Sequence, residues 1–147
     1  MDTRDHDELA DRLLDFAARV GKAVDALPES RLGRHIAGQL VRSGTSPAPN
    51  YAEACGAESR KDFIHKLSIC LKELRESRCW IQLIIKAELL SQSQMANLQD
   101  ECNQLCNIIG KSIVTAKNDP KAKTKYPTKM TNPLCTLHFS LCSLDWQ

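Results

Sequence analysis

Between Phe63 and Ile84 the chain places Phe63, Leu67, Cys70, Leu74, Ser77, Ile81 and Ile84 at alternating steps of four and three. That spacing puts every member on one face of an α-helix, whereas a strand turns its side chains over at each residue and cannot align them. A helix with one apolar face gains most of its stability by burying that face against other helices. Its partners must carry the same period, and three other segments do.

Leu9, Leu13, Phe16, Val20, Val24 and Leu27 predict a first helix, ended by Pro28. A second runs from Arg31 with Leu32, Ile36, Leu40 and Val41 on one face, until Pro47 and Pro49 remove two amide donors and predict a kink or break. Asn50, followed three residues later by Glu53, reads as a capping box that restarts the helix through Cys55. Ser59 is the expected N-cap of the third helix, with Asp62 in its first turn. Ser91 and Gln94 open a fourth, carried by Met95, Leu98, Cys102, Leu105, Ile109 and Ile113. Aromatic residues at 5% and charged residues at 26% suit helices better than sheets. With short connections between them, the four segments predict an all-α, up-and-down antiparallel four-helix bundle over residues 1–118.

From Asp119 onward the character changes. Lys121, Lys123, Lys125 and Lys129 mark a solvated linker, and Leu137, Phe139 and Leu141 alternate with polar residues in a short apolar tail. Residues 119–147 are expected to be poorly ordered. Deleting them should leave helicity and melting temperature nearly unchanged, which circular dichroism of the truncated chain checks.

The first residues are acidic and polar, and no stretch approaches 18 uninterrupted apolar residues. Neither secretion nor a membrane span is expected, and the chain reads as cytoplasmic. Its cysteines number 7, an odd count, and five of them lie in helical segments, which favours reduced thiols over a disulfide framework.

The formal net charge of +2 hides a division along the chain. Residues 1–30 carry eight acids against four bases, whereas residues 31–88 carry ten bases against six acids. The asymmetry could orient subunits against one another or face a polyanion. On the third helix, Lys61, His65, Ser68, Lys72, Arg75, Cys79, Gln82 and Lys86 recur at steps of four and three, opposite the apolar series. This polar line is a solvated face, a phosphate-binding surface built on Lys61, Lys72, Arg75 and Lys86, or a subunit contact. No aromatic platform accompanies it, so base-specific readout is not indicated. Ile69, Trp80 and Leu83 lie on a flank of the same helix and meet either a neighbouring helix or another subunit.

Catalytic and metal constellations are incomplete. A di-iron bundle needs a carboxylate-x-x-His pair on each of two helices, and the chain offers a single Asp62 and His65. Cys135, His138 and Cys142 lack a fourth zinc ligand, and Cys102 with Cys106 read as small core fillers. Gly-rich phosphate loops, nucleophile elbows and paired acids are missing from the chain, so no enzyme activity and no cofactor are expected.

The stretch from Arg42 to Ala54, with Pro47, Pro49, Asn50 and Glu53, then Ser59 to Phe63 and Leu67 to Glu76, resembles a bacterial four-helix-bundle family. Its members were first noticed as reading frames inside intervening sequences of 23S ribosomal RNA genes. The resemblance covers roughly residues 9–118 and implies a ring-like homopentamer. It also implies kinship with the accessory protein of diversity-generating retroelements, which binds a reverse transcriptase and nucleic acid. Asn50, Glu53 and Glu76 carry the most specific part of the pattern. Their expected role is structural, with Asn50 capping, Glu53 returning the cap, and Glu76 paired with a base such as Arg42 or Arg75. The leading expectation is a homo-oligomeric scaffold that binds RNA or DNA through phosphates. The alternative is a protein-interaction module without nucleic acid.

Overall fold

The computed structural model describes residues 3–118, with side chains from His6 onward. Within that span all regular structure is helical: α1 (Thr3–Asp25), α2 (Arg31–Thr45), α3 (Pro47–Cys55), α4 (Arg60–Lys86) and α5 (Gln92–Asn118). The linker and tail expected over residues 119–147, and the Cys135, His138 and Cys142 candidate set, lie outside the described residues.

α2 and α3 together form the second arm of a four-helix bundle, bent at Ser46. Around the bundle, α1 packs on α2 and α3, these pack on α4, α4 packs on α5, and α5 returns to α1. The backbone of α1 does not come close to that of α4, nor that of α5 to those of α2 and α3, so these pairs are the two diagonals of a square. Short connections reverse the chain at each corner, in the up-and-down order that the periodicity predicts.

The core is built as the spacing requires. Leu9, Leu13, Phe16 and Val20 from α1 meet Leu67, Cys70, Leu74, Ser77, Ile81 and Ile84 from α4, with Met95, Leu98, Cys102, Leu105 and Ile109 from α5. Two helix starts behave as expected. The Ser59 hydroxyl accepts the Asp62 amide at 3.1 Å. Ser91 and Gln94 exchange bonds, the Ser91 amide reaching the Gln94 carboxamide at 2.9 Å and the Gln94 amide reaching the Ser91 hydroxyl at 3.2 Å.

The second arm departs from expectation in two ways. Leu32 and Val41 are exposed, while Gly33, Ser43 and Gly44 are buried beside Ile36 and Leu40. At Gly44 a small residue is required because α1 comes too close for a larger one: an added Cβ would lie 2.8 Å from both Val20 methyls. The Asn50 and Glu53 capping box does not form. The helix restarts earlier, at Pro47, and Asn50 sits inside it, donating through Nδ2 to the Ser46 carbonyl at 2.9 Å and hydroxyl at 3.1 Å. A cap exists to satisfy first-turn amides. Pro47 and Pro49 have none, so two of the donors that a cap would serve are absent and proline is well placed in the first turn. Glu53, released from the cap, pairs with Lys66 of α4.

Candidate nucleic-acid interface

α4 is positioned by its own apolar face, and burying that face leaves the opposite line outward. Lys61, His65, Ser68, Lys72, Arg75, Cys79, Gln82 and Lys86 are all exposed. Lys61 and Lys86 are separated by about 37 Å at the rise of an ideal helix. Among the described residues no carboxylate pairs with Lys61, Lys72, Arg75 or Lys86. Other bases nearby are engaged: Lys66 with Glu53, and Arg60 with the Ala116 carbonyl at the end of α5. The four outward bases thus form a row on one rigid element, free to meet an anion at little cost in broken contacts.

Two arginines of α2, Arg34 and Arg42, are less available. Arg34 lies against Glu29, bonding its carbonyl and standing 3.7 Å from its carboxylate. Arg42 bridges to α4, where it meets Glu76 and stands 3.4 Å from Glu73. Glu73 is the buried carboxylate of this contact, at 9% exposure. One turn further on, the Ser77 hydroxyl donates to Ser43 at 3.0 Å and completes a polar seam between α2 and α4. Glu76 therefore takes the Arg42 partner expected for it, and the buried Glu73 shares that guanidinium.

On the Ile69, Trp80 and Leu83 flank, Trp80 reaches a neighbouring helix of its own chain. Its ring meets His35 of α2 edge-on, with centroids 5.7 Å apart, and its indole N–H donates to Glu76 at 3.3 Å. Leu83 packs against the core, and Ile69 is half-buried.

The Trp80 indole and the Arg42 guanidinium hold the Glu76 carboxyl below its ordinary value of 4.5. The folded state then binds this proton less readily than the unfolded chain, so the stabilisation is complete above the ordinary value and lost as pH falls through the lowered one. Glu76→Gln should therefore destabilise the bundle at neutral pH, and its deficit in urea midpoint relative to wild type should shrink on acidification. Midpoints measured at neutral pH and at about pH 3 check this.

Cys102 and Cys106 are buried, as core fillers would be, and among the described residues no cysteine is in a disulfide. Cys70 is also buried, and this pushes its thiol up to about 12. Among the described residues no group of three His, Cys, Asp or Glu side chains could hold a metal ion. Asp62 is half-buried and His65 exposed. An open cleft of about 590 Å³ lies between α1 and α5, bordered by Arg19, Lys22, Gln94 and Asn97 over Met95 and Leu98. The sequence pattern shows no sign of it, because its lining comes from α1 and α5, which are distant in the chain. Among the described residues no helix is long and apolar enough to cross a membrane.

The chain is similar to a crystal structure of a protein of unknown function from the S23 ribosomal protein family of Bacteroides thetaiotaomicron. The two share 32% identity with a TM-score of 0.67, over 71% of this chain and 97% of that one. No curated protein matches. The model of the 23S rRNA-intervening sequence protein family matches residues 8–111, which takes in the cores of α1 and α4, the proline-broken second arm and most of α5, and the chain belongs to that family.

Proposed function

We propose that this protein is a non-enzymatic, cytoplasmic, homo-oligomeric scaffold that binds RNA or DNA through phosphate contacts. The observation that carries the reading is the outward row of Lys61, Lys72, Arg75 and Lys86, exposed on a 27-residue helix and in no salt bridge among the described residues. A row of cations along one helix face can meet several phosphates of a nucleic-acid backbone. It also releases counterions on binding without reading bases. Oligomerisation, with the homopentamer that the family resemblance implies, would repeat the row and strengthen the field. A reverse transcriptase as protein partner follows from the same resemblance.

The test is fluorescence anisotropy with a labelled single-stranded RNA of mixed sequence. Binding should be strong at low salt, fall steeply as salt rises, and differ little between sequences. Absence of binding to RNA and DNA at low salt would reject this reading and favour a protein-interaction module.

A further inference from the structure

α1 and α4 stand on opposite corners of the bundle, so their outward faces look in opposite directions. The outward face of α4 is the basic row. The outward face of α1 carries Asp7, Asp11, Asp15 and Asp25, all exposed, and none is ion-paired among the described residues. Leu14 lies among them with 53% of its surface exposed, and Lys22 is the base that interrupts the face. Neither face packs on another helix of its own chain. At the rise of an ideal helix, Asp7 to Asp25 spans about 27 Å and Lys61 to Lys86 about 37 Å, so the acidic line fits within the basic one.

We propose that the outward face of α1 docks on the outward face of α4 of a second copy, head to tail, and that this contact competes with nucleic acid for the same bases. The second half rests on the phosphate-binding reading, and the first does not. Charge complementarity selects the occupant, because each copy carries both halves of the contact. Leu14 adds an apolar centre that is covered only when the faces meet. Exposed ion pairs are individually weak and screened by salt, so the contact is reversible and limited to low ionic strength. Faces on opposite corners propagate an open series of copies and do not close a small ring, which makes this contact additional to a pentamer interface.

Competition has a definite direction. Four carboxylates spread over about 27 Å are a sparse anion beside a nucleic acid, where duplex DNA carries one charge per about 1.7 Å. The denser anion wins the stripe, so binding nucleic acid separates the copies.

Sedimentation velocity of the full chain should show association that grows with protein concentration at low salt, with an association constant that falls at least about tenfold by physiological ionic strength. Asp11→Lys with Asp15→Lys should abolish it. Adding Lys72→Glu and Arg75→Glu to that variant should restore it, since both faces are then reversed. Association that ignores the α1 reversal, or a species whose size is independent of salt and concentration, would overturn the proposal. A single-stranded oligonucleotide separates the two readings. If it binds and dissolves the association, both stand. If association persists and the oligonucleotide does not bind, the phosphate reading falls and the docking stands; if it binds while association is absent, the docking falls alone.

Discussion

Replacing Lys72 and Arg75 together with glutamine is expected to weaken binding to single-stranded RNA by about tenfold to thirtyfold at low salt, from the loss of two charge-assisted phosphate contacts. The slope of log affinity against log salt should become shallower by about 1.4, since each phosphate contact on a single strand contributes about 0.7. Both side chains are exposed on the side of α4 away from the core, so the far-ultraviolet circular dichroism should be unchanged. Loss of affinity without a change of slope would mean that the two residues do not meet phosphates. Binding that ignores the substitutions would move the site, with Arg31 the exposed base of α2 that no carboxylate engages among the described residues.

The second large effect is on stability, at Gly33. A Cβ added there would lie 2.0 Å from the Pro28 carbonyl oxygen, a backbone atom that cannot swing aside. The same turn holds the Ser30 cap, whose hydroxyl accepts the Gly33 amide at 3.0 Å. Relieving the clash must either open that cap or push α2 away from α1. Gly33→Ala should therefore cost about 2–3 kcal/mol, the scale of overpacking a tight site. The corresponding loss in melting temperature is about 10 °C. Gly38 in the same helix supplies the control: it is exposed, and a Cβ there meets nothing within 4 Å. Gly38→Ala should stabilise by up to about 1 kcal/mol, because alanine is the better helix former. Thermal denaturation of the two variants beside wild type checks both signs.

These features differ in how far the sequence alone exposes them. The series from Phe63 to Ile84 announces a helix and its buried side, because helical periodicity is a local property that survives without knowledge of neighbours. The outward row of α4 is legible for the same reason, being the complement of that series. Leu32 and Val41 mislead because hydrophobicity alone does not decide burial, and α1 and α2 approach closely where Val20 meets Gly44. Asn50 misleads because a cap serves first-turn amides, and the two prolines beside it have none. Glu73 and Trp80 were illegible in another sense. Their environments come from Arg42 and His35, more than thirty residues away in the chain, and a single sequence does not show which distant side chains will meet.

The break at Ser46 divides the second arm into two independent hydrogen-bond ladders, and this bears on how the molecule breathes. α3 has nine residues, too few to persist as a helix in isolation, so its order depends on the seating of Tyr51 and Ala54 against the core. Tyr51 also meets His6 near the start of α1, its hydroxyl 2.9 Å from the ring nitrogen. Fraying of the α1 start removes that anchor and leaves α3 as a small cooperative unit that can open while α2, α4 and α5 stay closed. Amide protons of α3 should then exchange with solvent together, and faster than those at the centre of α4, with the proline pair at the boundary of the unit that opens.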